Sequence, residues 1–264
     1  SADDPRGKSG LAHFLEHMMF KGPKGSDHER LMGDVEKIGG IVNATTGFDT
    51  TSYYEIVPKE HLEHFMRLES SRMRDLPVHI DDTEPEIRVV LEEENMRIGN
   101  NPFMQFIATV RTAFFSHHPY GTMPIGYRDE IKSYTPEDVR AFHKRFYAPD
   151  NAFIILSGDL SLSEAKFLVE KYYGDIPAAQ IPSRKRAQEP VLDSVVQVTR
   201  RSDRVVDPHV VIMMPAPTYD VADPSAAFAL SIARYALSNS ATGILYRRLV
   251  EDLKIATSFS IDYK

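Results

Sequence analysis

Residues Leu11–Phe20, LAHFLEHMMF, place apolar side chains at helical spacing around His13, Glu16 and His17, and a Gly-Pro pair just beyond predicts the helix end. His13 and His17 are four residues apart, so they lie one turn above each other. Two imidazoles placed in this way can contact one metal ion at about 2.0–2.1 Å. Glu16 stays within the same third of the helix surface, where its carboxylate can reach a water molecule on that metal.

The spacing His-x-x-Glu-His is the inverted form of the His-Glu-x-x-His zinc helix. The alternative interpretation is a pair of exposed histidines on an amphipathic helix. The apolar flanks, which include Leu11, Phe14, Leu15 and Met18, argue against that alternative because they leave little of the helix free to face water. A buried histidine pair with a carboxylate needs partners, and a metal ion supplies them.

A catalytic zinc needs a third protein ligand and an open fourth position. The candidate segment is Glu84–Met96, EPEIRVVLEEENM, in which Glu86 and Glu93 lie seven residues apart on one helical face. Glu92 and Glu94 project to either side of Glu93. Spacing alone does not choose among the three consecutive glutamates, and a solvated acidic helix is the alternative interpretation.

Composition narrows the class of protein. The 264 residues are enough for one large domain or two ordinary ones, and 42% hydrophobic with 26% charged residues is typical of a globular protein. The net charge of -7 argues against general binding to nucleic acid or anionic membranes. The sequence has no cysteine, so disulfides and thiol catalysis are excluded and a metal site must use His, Asp or Glu. No apolar run approaches the roughly 20 residues of a membrane span.

Helices and strands are mixed along the chain, and paired strands lie close in sequence. This arrangement predicts an α+β fold, with a two-layer, antiparallel-rich sheet, helices packed on one face, and one complete domain plus part of a second similar domain. Helices are predicted at Leu11–Phe20, Ser26–Ile38, His61–Arg74, Pro85–Ile98, Phe103–Phe115, Pro136–Phe146, Ser161–Tyr173, Ala226–Leu237 and Thr242–Leu253. Strands are predicted at Ile41–Thr46, Thr51–Val57, Asn151–Ser157, Val195–Thr199 and Val210–Met214, with a last strand from Ile255.

Segment Ile176–Pro190 carries three prolines and no periodic pattern, which predicts a linker. The resulting boundaries are a zinc-bearing catalytic domain over residues 1–176, a linker over 177–191 and an incomplete second α+β domain over 192–264. Arg184–Arg186 resembles a nucleic-acid signal, but the acidic balance of the whole chain disfavours that interpretation. The first residues show no initiator Met and no signal-peptide pattern, and we expect both ends to lie in mid-structure.

Other histidines do not follow the metal-binding spacing. In Glu60–His64, EHLEH, the histidines are three apart with a glutamate between them, and the helix is rich in charge. That pattern predicts a solvated helical face. The pair His117 and His118 lies in a predicted polar turn.

The segment His13–His17, the MMFKG that follows it, NATTGFDTTSYY and the glutamate-rich helix together resemble the pitrilysin–insulysin family of zinc peptidases. The resemblance runs over Gly7–Tyr263 and is strongest to the branch of mitochondrial processing peptidase and its bacterial relatives. In that family the third ligand is a glutamate 76 or 77 residues beyond the second histidine, with a supporting glutamate seven residues earlier. The resemblance therefore implies Glu93 as the third ligand and Glu86 as its support.

The resemblance implies a zinc-dependent endopeptidase with one Zn²⁺ per chain. The metal activates a water molecule, and Glu16 acts as the general base. Asn43 and Ala44 match the stretch along which the family adds a peptide substrate as an extra strand. The alternative for this stretch is an ordinary inner strand.

Family members enclose a chamber between two related halves, and the half without the zinc motif supplies an Arg and a Tyr to the substrate. The expected partners are a peptide or unfolded polypeptide and a second non-zinc half or homologous subunit, in a homo- or heterodimer. Tyr246, Arg247 and Arg248 are not assigned to that Arg/Tyr pair. No nucleic acid and no membrane span are expected, and the expected location is the periplasm, with the cytoplasm or mitochondrial matrix as alternatives. Two alternatives to catalysis are a non-catalytic subunit of such a complex and a structural zinc site.

Overall fold

A computed structural model describes residues 1–21, 27–181, 183–190, 194–219, 223–239 and 242–263. The chain divides into two compact units, Ser1–His209 and Val210–Lys264. The sequence-based boundaries at 176 and 191 are a different division and stay a prediction. Within the described ranges, no helix combines the length and the apolar composition needed to cross a bilayer.

The first helix, α1, spans Leu11–Met18. Its N-cap is Gly10 with φ 86°, and a Cβ at this position would lie 2.2 Å from the carbonyl oxygen of Ile125, so only glycine fits. The carboxylate of Asp4 accepts hydrogen bonds from the backbone N–H groups of Gly10 (2.7 Å) and Ala12 (2.9 Å). Asp4 therefore satisfies donors that a helix start otherwise leaves unpaired.

Two strands follow in a hairpin: β1, Ile41–Thr46, and β2, Thr51–Ile56. They pair antiparallel, with Ala44 opposite Tyr53 and Thr46 opposite Thr51. Burial alternates along both strands, because successive side chains point to opposite faces. One face of the hairpin therefore packs inward while the other faces solvent.

Helices make up most of the regular structure of the first unit. A π-helical turn, Asn95–Gly99, continues α4. After α1, the helices are α2 (Asp27–Lys37), α3 (Leu62–Arg74), α4 (Ile80–Glu94), α5 (Pro102–Phe114), α6 (Arg128–Ile131), α7 (Pro136–Phe146) and α8 (Leu162–Tyr173). In the second unit, α9 (Ser225–Ser238) is followed by α10 (Ile244–Tyr246) and a π turn, Arg247–Asp252.

Helix α1 lies in the centre of the larger apolar core of the first unit. It packs against α4, α7 and β1. Phe14 and Leu15 have no exposed surface, and Leu11 and Met18 are almost completely buried. The core therefore fixes α1 on several sides, and whatever polar side chains α1 carries are held with it.

The structure confirms the α+β class, but the antiparallel sheet among the described residues has only two strands. In the described residues, the segments predicted as strands at 151–157, 195–199 and 210–214, and from Ile255 onward, form no ladder. Phe153 and Ile155 are 81% and 79% exposed. A run of β-branched and aromatic residues expresses a local preference, and a strand forms only where a neighbouring strand accepts its backbone hydrogen bonds. The predicted helix Thr242–Leu253 is likewise replaced by the short α10 and its π turn.

The carboxyl groups of Glu55 on β2 and Glu69 on α3 lie near each other. Burial, and next the charge of Glu69, raise the pKa of Glu55 to about 8. Tyr173 of α8 is close enough for its pKa to be raised by burial and then by both glutamates. At neutral pH Glu55 is therefore mostly protonated. The carboxyl group of Glu69 accepts a hydrogen bond from the buried Arg72 (2.8 Å).

We predict that Glu55 makes the protein less stable as pH rises. A carboxyl whose folded pKa lies above its unfolded pKa binds more protons when folded, so the free energy of unfolding falls between about pH 4.5 and pH 8. Glu55→Gln stays neutral throughout. Between pH 6 and pH 9, Tm of the wild type should fall by about 3 °C or more beyond that of Glu55→Gln, measured by calorimetry. Glu60→Gln, at an exposed position, is the control, and equal slopes for all three proteins would contradict the prediction.

Candidate metal centre

Three side chains from two helices converge beside the core. His13 and His17 project from α1, and Glu93 projects from the last turn of α4. The Nε2 atoms of His13 and His17 lie 3.6 Å and 3.2 Å from Oε2 of Glu93. All three potential ligand atoms lie within 4.8 Å of one another. This is the only such cluster among the described residues.

The helical spacing of the two histidines produces this geometry. Four residues bring His13 and His17 onto one face of α1, with ring centroids 4.7 Å apart and planes inclined by 67°. His13 is buried and His17 is half-buried, because the opposite face of α1 fills the core. Packing of α1 in the core therefore fixes the positions from which both rings project.

Glu86 orients His17 from the other side of the ring. Its Oε1 lies 2.8 Å from His17 Nδ1, and its Oε2 lies 2.7 Å from Lys21 Nζ. Glu86 is itself buried, so this carboxylate has few alternative positions. A proton on Nδ1, donated to Glu86, would leave Nε2 as the ring nitrogen that can bind a metal ion. Such carboxylate–histidine pairs fix the ring tautomer in metal sites.

The electrostatics of the site favour a cation. Burial lowers the pKa of His17, but the carboxylates of Glu86 and Glu93 outweigh burial and raise it to about 9. Burial and then the charge of His17 lower the pKa of His13 to about 4. Contact with His17 and other cations outweighs burial and lowers the pKa values of Glu86 and Glu93. The two carboxylates thus stabilise positive charge at His17, which is the sign of charge that a metal ion would bring.

The residues fit a zinc ion. Glu93 Oε2 is buried without an aligned hydrogen-bond partner, although it lies close to both imidazoles. Tetrahedral coordination at about 2.0–2.1 Å separates ligand atoms by roughly 3.3 Å, which agrees with the observed 3.2 Å and 3.6 Å. Two histidines and one glutamate form a ligand set found in catalytic zinc sites.

Glu16 lies on the same helix but outside the ligand cluster. Its Oε2 accepts a hydrogen bond from Thr46 Oγ1, at the end of β1. Thr46 Oγ1 also lies 3.2 Å from Thr51 Oγ1 on β2. Burial raises the pKa of Glu16, while the Thr46 hydrogen bond opposes this effect. The hairpin therefore determines where the Glu16 carboxylate lies relative to the histidines.

The neighbours of Glu93 point elsewhere. Glu94 contacts Arg128 (3.0 Å), and Glu92 accepts a long hydrogen bond from Asn95 (3.4 Å). Glu93 uses its second oxygen, Oε1, to contact Arg97 (2.7 Å) on the π turn. Of the three glutamates between which sequence spacing did not choose, the structure brings only Glu93 to the histidines.

Asn43 and Ala44 lie in the middle of β1. Asn43 is exposed and Ala44 is half-buried, and the N–H of Ala44 donates to Oδ1 of Asn43 (2.8 Å). Among the described residues β1 pairs only with β2, so its second edge has no strand beside it. The same strand ends at Thr46, next to Glu16. Substrate binding by Asn43 and Ala44 stays a prediction.

None of the other histidines that the structure describes belongs to the cluster. His64 lies on the exposed part of α3, and His143 is buried with Nε2 2.8 Å from the carbonyl oxygen of Arg72. The backbone N–H groups of His117 and His118 each donate to Glu189 (2.8 Å) in the predicted linker. Sequence reasoning did not identify the contacts of Thr46 and Lys21 with the site, and no local pattern signals them.

Comparison with known families covers most of the chain. Residues 1–121 match the family model described as Insulinase (Peptidase family M16). Residues 133–264 match the model described as Peptidase M16 inactive domain. His13, Glu16, His17 and Glu93 all lie within residues 1–121, the first of these two regions.

Curated relatives include the zinc protease PqqE of Helicobacter pylori, 34% identical over 174 residues, which are 66% of this chain and 39% of that protein. A probable mitochondrial-processing peptidase subunit beta of Schizosaccharomyces pombe is 30% identical over 65% of this chain and 38% of its own length. The chain thus spans about two fifths of the length of these relatives.

Solved structures show the same fold. A protease from Helicobacter pylori superposes with a TM-score of 0.82 at 27% identity, covering 97% of this chain and 62% of that one. The periplasmic protease PqqL from Escherichia coli gives a TM-score of 0.64 at 26% identity, covering 72% of this chain and 22% of that one.

We predict that Glu86→Gln weakens zinc binding. The amide cannot hold the Nδ1 proton of His17 as a carboxylate does, and loss of such a supporting group typically costs roughly 10–100-fold in metal affinity or activity. Zinc affinity of the full-length protein is to be measured by competition with a chelator of known affinity. Glu92→Gln is the matched control on the same helix and should change affinity little; equal losses in both variants would mean that the wrong helical face has been assigned.

Proposed function

We propose that this chain, which belongs to the insulinase family (peptidase family M16), carries the zinc-binding catalytic part of an endopeptidase. The observation that carries the proposal is the convergence of His13, His17 and Glu93 beside Glu16, a carboxylate on the same helix that is not a ligand. This arrangement matches the needs of hydrolysis by an activated water molecule.

In this proposal His13, His17 and Glu93 hold one zinc ion per chain. A bound zinc supplies Lewis-acid activation of water and of the scissile carbonyl group. Glu16 then accepts the proton of the attacking water and donates it to the nitrogen of the leaving amine. The hydrogen bond from Thr46 holds one oxygen of Glu16, so that the other is available for this transfer.

The substrate is proposed to be a peptide or unfolded polypeptide that binds in extended form along β1. A peptide can add to an exposed sheet edge through main-chain hydrogen bonds. The Ala44 N–H is engaged by the side chain of Asn43 rather than by a neighbouring strand, so a bound peptide would take over this donor as the Asn43 side chain moves away. Because β1 ends at Thr46, such a peptide passes beside Glu16.

A catalytic role is favoured over that of an inactive partner. The region that matches the inactive-domain model, residues 133–264, contains none of the four site residues. His13, Glu16, His17 and Glu93 are all present in residues 1–121 and lie together. The relatives extend well beyond the length of this chain, and we propose that a second half or a homologous subunit completes the substrate chamber.

For the location we propose the periplasm. The support is the similarity to PqqL from Escherichia coli, which is described as a periplasmic protease. The sequence has no cysteine, so its folding requires neither an oxidising nor a reducing compartment.

The proposal predicts that two carboxyl-to-amide substitutions separate chemistry from metal binding. In the full-length protein, Glu16→Gln should retain zinc and lower kcat about 10²–10⁴-fold, because the general base is lost. Glu93→Gln should lower the zinc affinity itself. Peptide hydrolysis and zinc content are to be measured on the same samples; zinc loss in Glu16→Gln together with zinc retention in Glu93→Gln would reverse the assigned roles.

A further prediction concerns Thr46. Thr46→Val keeps the shape of the side chain but removes the donor to Glu16, so kcat should fall about 10-fold while zinc content stays constant. Thr46→Ser keeps the hydroxyl group and should stay close to the wild type. Steady-state hydrolysis of one peptide by all three proteins tests this, and equal losses in Val and Ser variants would show that the hydroxyl group is not responsible.

A further inference from the structure

Arg72, on α3, has no exposed surface and contacts the end of α1, the strand β2 and a residue of its own helix. One guanidinium nitrogen, Nη1, donates to the carbonyl oxygen of Met19 (3.0 Å), and Nη2 donates to Glu69 (2.8 Å). Its central carbon lies 5.1 Å from the ring centroids of both Phe20 and Tyr53. A buried arginine is costly unless its charge and donors are satisfied, so each of these contacts constrains its partner.

The first contact fixes the end of the metal-binding helix. Met19 is the C-cap of α1, and its carbonyl is one of the acceptors that a helix end leaves unpaired. A cation at this position also interacts favourably with the helix dipole. Glu16 and His17 lie in the last turn before Met19, so a shift at this end of α1 moves both.

The ring contact fixes the hairpin. Tyr53 lies on β2 directly opposite Ala44 on β1, and its hydroxyl lies 2.7 Å from the hydroxyl of Tyr147. The Arg72 guanidinium lies over the ring of Tyr53, so the side chain that contacts the end of α1 also contacts the hairpin. Two residues further along β1, Thr46 contacts Glu16.

From these contacts we propose that Arg72 is a positioning residue that sets the separation between the end of α1 and β1. The inference rests on the proposed peptidase function, because this separation determines the distance between the Glu16 carboxylate and a peptide lying on β1. Arg72 touches neither the metal ligands nor the proposed substrate edge. It acts through Met19 on one side and through Tyr53 on the other.

The test compares Arg72→Met, Arg72→Lys and a control, Arg74→Met, in the full-length, zinc-loaded protein. Arg74 lies on the same helix but is exposed, where it contacts Asp175. For Arg72→Met we expect an unchanged zinc content, a similar KM and a kcat about 10–100-fold lower per folded molecule, since small misplacements at a reacting centre cost this much. Arg72→Lys keeps the charge and should recover part of kcat, and the control should match the wild type.

Hydrogen exchange gives a second readout that does not need activity. Arg72→Met should speed amide exchange in both 16–20 and 41–46, whereas Arg74→Met should not. Unchanged exchange in those segments overturns the positioning role of Arg72, whether or not any peptide is cleaved. If the variants show the expected exchange pattern but the wild type cleaves no peptide, only the peptidase proposal is contradicted. A folded Arg72→Met with normal kcat also overturns the positioning role. If Arg72→Met does not fold, Arg72→Lys decides: a reduced kcat at normal zinc content supports the inference, and a normal kcat refutes it.

Discussion

The burial of polar side chains along α1 is the constraint on which the site depends. This helix fills the apolar core along most of its length, yet it carries His13, Glu16 and His17. Buried polar groups cost free energy unless each has a partner. The surrounding elements supply partners for all of them except His13 Nδ1, because α4 provides two glutamates and β1 provides a threonine hydroxyl. The same packing that makes α1 rigid therefore makes its side chains dependent on two other elements.

The two glutamates of α4 are held in the same manner. Each has an outer oxygen that contacts a cationic side chain: Lys21 contacts Glu86, and Arg97 contacts Glu93. Each has an inner oxygen that faces an imidazole, and His17 lies between them. Because Oε1 of Glu93 contacts Arg97, its Oε2 is left for an ion and the carboxylate is kept from rotating. The inner oxygens of both carboxylates contact His17, and together they outweigh burial and raise its pKa.

Sequence reasoning succeeded where the decisive information is local. The spacing of the histidines predicts their shared face on α1, and the helix predicted at Pro136–Phe146 is α7 with the same bounds in the structure. It did not find contacts between distant positions: Thr46 is 30 residues from Glu16, and Arg72 is 53 residues from Met19. The choice among three consecutive glutamates came from a family resemblance, because the spacing within one helix does not show which of its faces meets the histidines.

Under the proposed function, metal binding and turnover would rest on different contacts of the same helix. The ligands depend on the packing of α1 against α4, whereas the position of Glu16 relative to a peptide depends on the packing of α1 against β1. Arg72 contacts the end of α1 and the hairpin but not α4's glutamates, so it bears on the second contact and not on the first. A chain can therefore retain its ion while losing the alignment of its base. Under the proposed function, zinc content alone is consequently no measure of a competent site, and the α1–β1 contact decides the alignment of Glu16.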